Sequence, residues 1–301
     1  MATTSAPDVP EGASAPKTGD EPDYGGMHVV HLVAEYWPYA RSGGLAEAVR
    51  GIATFQAKSG VPTLVVLPYY RSIREQSLDI RPLGDPIEVA FGTKRDRVQL
   101  WEVEPVEGEP HVIFVDHPGL FDRDGLYGEG GRDYPDNHIR FGFFVKAALQ
   151  ALPGLVTHPV VLHAHDWHAA LGAVYLGTVL RDDPWFSQVA TVLSVHNAGY
   201  AGMFGSDVLA DLGLPAEVFH WSRLEHYGAV NWLKGGLAYS DFVGTVSPTH
   251  AHELRTPAGG FGMHDSFIAL GDRLVGILNG IDLDIWDPEH DPLLPASFSQ
   301  D

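Results

Sequence analysis

A short apolar run, a pair of glycines and an amphipathic helix follow one another between His28 and Lys58, and this succession constrains the fold more than any other stretch. The run His28 to Ala34 carries Val29, Val30, Leu32 and Val33 and reads as a buried strand. From Leu45 to Lys58 the apolar residues Leu45, Ala48, Val49, Ile52 and Phe55 recur at helical spacing. Between them lies Arg41-Ser42-Gly43-Gly44-Leu45. The first N–H groups of a helix lack intrahelical partners, and the helix dipole favours negative charge there. With Arg41 just upstream, Gly43 and Gly44 suit a phosphate or pyrophosphate. A tight strand-to-helix turn that needs glycine for close packing explains the same residues, and both readings stand at this point.

The alternation continues along the chain. Strands are expected at Thr63 to Leu67, Val112 to Val115, Val160 to His165, Val189 to Val195, Phe242 to Val246 and Leu274 to Leu278. Ile87 to Phe91 and Val98 to Val103 read as a hairpin on one edge. Helices are expected near Ile139, over His168 to Leu180, Val208 to Leu212, Val230 to Tyr239 and Thr249 to Leu254. The polar, glycine-rich segment Pro118 to Asn137 is longer than an ordinary structureless connection, which marks it as functional or mobile. Continuously apolar strands separated by helices predict an α/β fold, a parallel sheet with helices on both faces. In such sheets ligands bind beyond the carboxyl ends of the strands. The conspicuous polar residues fall there: Glu35 and Arg41, Asp116 and His117, His163, His165 and Asp166, His196 and Asn197, Ser247, and Asn279.

Charge and composition exclude several classes. The formal net charge of -20 opposes nucleic acid and anionic membranes as main partners. With no cysteine, disulfides, zinc thiolates and cysteine nucleophiles are excluded. No apolar run approaches the roughly 20 residues that span a bilayer. Residues 1–26 are rich in Ala, Ser, Thr, Pro, Asp and Glu and are expected to be a disordered tail. They have neither the apolar stretch of a secretory signal nor the acid-poor composition of a transit peptide, so a cytoplasmic location is expected. Residues 27–301 are expected to form a single domain.

The cluster His163-Ala164-His165-Asp166-Trp167-His168 admits a sugar-binding role for Asp166, structural histidines, or a metal site built on His163, His165, Asp166 and His168. The metallo-β-lactamase order His-x-His-x-Asp-His is not met, because the aspartate comes one position early. The sugar-binding reading ranks first and metal last. Trp167, Trp185, Trp221, Trp232 and Trp286 are expected to be buried, Phe141, Phe143 and Phe144 to form helix core, and His250 and His252 to face solvent.

These stretches, together with Tyr134-Pro135-Asp136-Asn137, Ser194-Val195-His196-Asn197, Thr245-Val246-Ser247-Pro248, Gly260-Phe261-Gly262 and Ile277-Leu278-Asn279-Gly280-Ile281-Asp282, resemble the N-terminal domain of bacterial glycogen synthases and plant starch synthases. The likeness covers nearly everything from His28 to Pro295. It implies a Rossmann-like sheet, the N-terminal half of a GT-B fold. It implies ADP-glucose as donor and the non-reducing end of an α-1,4-glucan as acceptor, with retention of configuration and no metal or cofactor. By resemblance, Asp166 and His196 are the catalytic candidates, next to the reacting sugar. Arg41, Gly43 and Gly44 resemble the family's Lys-x-Gly-Gly-Leu loop at the pyrophosphate, with arginine in place of lysine, an exchange that is not neutral. Tyr134 and Asn197 resemble further substrate-binding positions, and Glu225 and Tyr227 lie in a segment near the acceptor side.

The family places its active site between two Rossmann-like domains. A missing C-terminal domain, supplying most donor contacts, is therefore an expected partner, and the isolated chain is expected to hold half a site and turn over little. A non-catalytic module that binds glucan or nucleotide sugar is the alternative.

Overall fold

The computed structural model describes residues 24–281 and 286–299. Most of the expected N-terminal tail, and Asp282 of the last motif, lie outside the described residues. The chain begins with β1 (His28–Leu32), α1 (Leu45–Lys58), β2 (Thr63–Pro68), α2 (Arg71–Arg74), β3 (Ile80–Phe91), β4 (Lys94–Val103) and β5 (His111–Asp116). It continues through α3 (Pro118–Phe121), β6 (Gly128–Glu129), β7 (Arg132–Asp133), α4 (Asn137–Leu155), β8 (Val160–His165), α5 (Asp166–Gly177) and β9 (Val189–Val195). Then come β10 (Met203–Phe204), α6 (Val208–Leu212), β11 (Glu225–His226), β12 (Ala229–Asn231), α7 (Trp232–Tyr239), β13 (Phe242–Thr245), α8 (Pro248–Glu253), α9 (His264–Ala269) and β14 (Leu274–Gly276).

A nine-stranded sheet runs in the order β14-β13-β9-β8-β1-β2-β5-β4-β3. From β14 to β5 every neighbouring pair is parallel, and the β3–β4 hairpin closes the edge antiparallel to β5. The chain leaves β1 toward β2 on one side and returns as β8 on the other. The strand order therefore reverses between β1 and β8, and a crevice opens at their carboxyl ends.

Residue alternation assigns the two faces. The row Val243, Leu193, Ala164, Leu32, Val66, Ile113 is buried throughout and meets α5 and α7. A Cβ at Gly172 of α5 would lie 3.0 Å from Leu162, and one at Gly236 of α7 would lie 2.7 Å from Leu193. Full burial of each such leucine contributes about 1.5–3 kcal/mol. The opposite row is Phe242, Val192, His163, His31, Val65, Val112. It is closed over β1, where α1 packs, and opens toward β13: His163 and Val192 are half-buried and Phe242 is exposed. Helices flank both faces, but among the described residues this face is only partly covered.

Several local expectations are corrected. Phe55 is exposed, because the buried stripe of α1 is Ala46, Val49 and Ala53, one position round from the stripe of larger residues. The segment from Pro118 to Asn137 is structured by α3 and the β6–β7 ribbon. Ion pairs of Arg71 with Asp122 and Asp124, and of Arg123 with Asp136, hold it down. Val230 is in β12 of a small sheet with β10 and β11. Helix α7 starts only at Trp232, capped by Asn231 Oδ1, which accepts from Lys234 N at 2.8 Å. Trp167 and Trp232 are buried as expected, and so are Phe141, Phe143 and Phe144, but Trp221 and Trp286 are exposed. His250 is engaged by the Thr245 hydroxyl at 2.6 Å rather than facing only solvent.

Candidate functional site

The site grows out of the reversal between β1 and β8. Asp166 follows β8 as the first residue of α5, with φ 54, a left-handed conformation that a non-glycine residue holds only when its surroundings impose it. What imposes it is visible: Oδ1 accepts from the backbone N–H groups of His196 at 2.7 Å and Asn197 at 3.3 Å. Asp166 thereby ties the end of β8 to the loop after β9. Burial pushes its carboxyl up to about 7, against the pull of these two donors, and the Glu35 charge adds to the rise.

Glu35, just past β1, is the second buried carboxylate. It accepts from Ser42 Oγ at 2.7 Å, Gly43 N at 3.1 Å, Tyr127 OH at 2.5 Å, and Ser42 N. The anion at the start of α1 is thus one of the chain's own side chains. The close-packing explanation of the glycines is not met. Neither Gly43 nor Gly44 has a left-handed φ, and a Cβ at either would have open space in front of it. Arg41 is half exposed, pairs with Glu47 at 2.6 Å and lies 5.0 Å over the Trp37 ring.

Tyr127 links Glu35 to α5: its hydroxyl is on Glu35 and its ring stacks on His168 at 4.6 Å. Burial holds the tyrosine well above its ordinary value and drives His168 down to about 3. Tyr134 sits elsewhere in the same segment. Its ring lies 4.8 Å from both the Arg123 and Arg140 guanidinium groups, and its hydroxyl accepts from Gly125 N at 3.3 Å. It braces the segment that delivers Tyr127.

Behind Asp166 four polar side chains form a continuous file along one face of the sheet. Gln56 Oε1 is 2.8 Å from His31 Nε2, His31 Nδ1 is 2.9 Å from His165 Nε2, and His165 Nδ1 is 3.1 Å from His196 Nε2. Burial lowers His31 and His196 to about 4 and puts His165 well below its ordinary value. His163 stacks on His165 and bonds to Ser194 Oγ at 2.8 Å. Ligand atoms of His31, His163 and His165 converge within 4.8 Å. Their contacts nevertheless suit shared protons: the nitrogens of His31 and His165 are in hydrogen-bond contact, and no carboxylate completes the set. Asp166 and His168 point away, to the β9 loop and to the Tyr127 ring.

The structure therefore gathers Glu35, Gly43, Asp166, His196 and Asn197 at one end of the sheet, with Arg41 and Gly44 in the same loop as Gly43. Three other strand-end residues serve local structure. Asp116 binds Arg74 and the Trp101 indole at 2.9 Å, His117 binds Asp96 at 2.8 Å, and Ser247 caps α8. Glu225 accepts from Gly228 N at 2.8 Å and lines, with Tyr227 and Trp221, a cavity of about 550 Å³ beside α7 and α9. Sequence reasoning missed Tyr127, Ser42, His31 and Gln56. Ser42 and Tyr127 lie inside stretches the sequence marks, the Arg41–Leu45 loop and the Pro118–Asn137 segment, and Gln56 continues the buried stripe Ala46, Val49, Ala53 as a polar residue.

Residues 28–269 match the family model described as starch synthase catalytic domain. The chain is similar to glycogen synthases of Syntrophotalea carbinolica (38% identity over 275 residues) and Anaeromyxobacter dehalogenans (41% over 276), covering 91% of this chain and 56% of each relative. Among solved structures it resembles the catalytic domain of starch synthase IV from Arabidopsis thaliana, bound to ADP and acarbose. The TM-score is 0.79 and the identity 33%, over 91% of this chain and 55% of that one. The chain thus spans about half the length of the relatives it matches. No helix among the described residues is long and apolar enough to cross a membrane.

Proposed function

Because the chain belongs to the starch synthase catalytic domain family, we propose that it forms one wall of a glucosyltransferase cleft. The reaction passes glucose from ADP-glucose to the non-reducing end of an α-1,4-glucan with retention. The observation that carries this reading is the clamp of Asp166 on the His196 and Asn197 backbone, at the sheet's reversal point and beside the Ser42-Gly43-Gly44 loop. ADP and acarbose on the Arabidopsis neighbour support a nucleotide and a glucan-like chain as the pair of ligands.

Transfer from a sugar nucleotide develops positive charge on the sugar ring and negative charge on the departing phosphate. Asp166 and His196 lie on the sugar side. A neutral imidazole and a carboxyl poised near 7 suit a cationic ring better than a protonated histidine does. Gly43 and Gly44 leave room for the pyrophosphate, and Arg41 exchanges Glu47 for it. Asn197 contacts substrate hydroxyls, and Tyr134 acts through the segment it braces. Residues 27–301 act as one cytoplasmic unit, with neither nucleic acid nor membrane as partner. The remaining donor contacts come from the half of the relatives' length that this chain does not match.

The test is glucose transfer from ADP-glucose to glycogen by this chain alone and after joining it to the unmatched half of the Syntrophotalea carbinolica glycogen synthase. The expected result is negligible turnover alone and turnover in the joined protein, abolished by Asp166→Ala and by His196→Ala. Full turnover by the chain alone, or an active Asp166→Ala variant, overturns the reading.

A further inference from the structure

We propose that Gln56 is a positioning residue of the site, acting through His31 and His165 to decide which ring nitrogen of His196 carries the proton. The inference rests on His196 belonging to the sugar side of the cleft.

The argument is one of hydrogen-bond polarity. A neutral imidazole has one donor nitrogen and one acceptor nitrogen, so a file of neutral imidazoles has a direction, and one end determines it. All three rings are neutral around pH 7, since burial holds each below its ordinary value. The Gln56 amide oxygen can only accept. His31 Nε2 must then donate to it, leaving His31 Nδ1 to accept from His165 Nε2–H. His165 Nδ1 in turn accepts from His196 Nε2–H. The consequence at the far end is that Nδ1 of His196 bears a lone pair. No hydrogen bond within the protein engages that nitrogen among the described residues, and it is not sealed from solvent. It is an acceptor, ready for a hydroxyl that donates.

The surroundings leave the file little choice. His31 and His165 are fully buried, and each nitrogen of these two rings is used once. His163, the other imidazole in the cluster, directs its Nε2 to Ser194 and does not break the file. Gln56 is half-buried at the end of the buried stripe of α1, and the side chain its replacement meets is His31.

The experiment is ¹⁵N spectroscopy of the full chain labelled in histidine, which separates protonated from unprotonated ring nitrogens. His31, His165 and His196 are assigned by replacing each in turn. In the parent protein His196 is expected as the Nε2–H form. Gln56→Glu, which also only accepts, is expected to preserve that form. Gln56→Lys, which only donates, is expected to reverse all three rings, giving Nδ1–H at His196. An Nδ1–H form in the parent, or the same His196 form in Gln56→Lys, overturns the proposal. Should Gln56→Lys not fold, Gln56→Leu, which removes the acceptor on His31 Nε2, takes its place: a mixture of both His196 tautomers is expected, and an unchanged Nε2–H form overturns the proposal. A tautomer that follows residue 56 while His196→Ala retains transfer in the joined protein upholds the file and overturns the catalytic reading. A tautomer indifferent to residue 56 overturns the file and leaves the catalytic reading standing.

Discussion

Acidification from pH 8 to pH 5 is predicted to cost this fold at least about 3 kcal/mol, a large part of a typical domain's total stability. Five histidines, His31, His163, His165, His168 and His196, have folded values held by burial well below the ordinary 6.5. Such a group stabilises the fold above pH 6.5, and that contribution is lost as the pH falls toward the folded value. For His31, His168 and His196, with folded values of about 4, 3 and 4, the loss by pH 5 is about 2 kcal/mol each, so about 6 kcal/mol for the three, and His163 and His165 act in the same direction. Asp166 acts in the opposite sense. Its folded value of about 7 exceeds the ordinary 3.8, so its contribution is complete below pH 3.8 and is lost as pH rises through 7. Going down to pH 5, it returns about 2.7 kcal/mol. Urea unfolding followed by tryptophan fluorescence at pH 8, 7, 6 and 5 measures the net. His168→Phe supplies the control. The Tyr127, Phe141 and Trp167 rings around this residue accept another aromatic, and the variant's loss between pH 8 and 5 is expected to shrink by about 2 kcal/mol. A parent protein equally stable at pH 8 and 5 refutes the assignment of these imidazoles as buried and neutral.

Further outcomes follow from the same contacts. Asp166→Asn keeps an acceptor for the His196 and Asn197 N–H groups and suits a left-handed φ, so it is expected to stabilise the chain above pH 7. The gain approaches about 4 kcal/mol at pH 9 and vanishes below pH 4; equal stability of the two proteins at pH 9 counts against it. Glu35→Ala removes the acceptor of Ser42 and Gly43, and hydrogen exchange at these two amides is expected to accelerate at least about 10-fold while β2 stays protected. Gly44→Ala meets no atom, so unfolding free energy is expected to stay within about 0.5 kcal/mol while transfer by the joined protein falls; a loss of both together contradicts the open-loop geometry.

Much of this was legible along the chain because it is written in local periodicity. Leu45–Lys58, Val189–Val195 and Val208–Leu212 fall at the expected bounds. Their apolar spacing, and the glycine pair that precedes the first of them, act over a few residues. The placing of polar residues at strand ends is local in the same way, and it singled out Asp166, His196 and Asn197, which the structure gathers, along with Asp116 and Ser247, which serve other contacts. The stripe of α1 was misread because small alanines, not larger residues, make its close contact with the sheet.

What the sequence by itself determined is therefore the kind and succession of elements: short apolar strands alternating with helices apart from one edge hairpin, with chemistry-bearing residues at the joints. Only the tertiary structure decided that the strand order reverses between β1 and β8, and that reversal selects which joints meet. It brings Tyr127 to Glu35 across 92 residues and lines up His31 with His165 across 134. The physical reason is range. A helix or strand is specified by contacts among near neighbours, whereas the alignment of distant strands emerges only when the whole sheet and its covering helices pack at once.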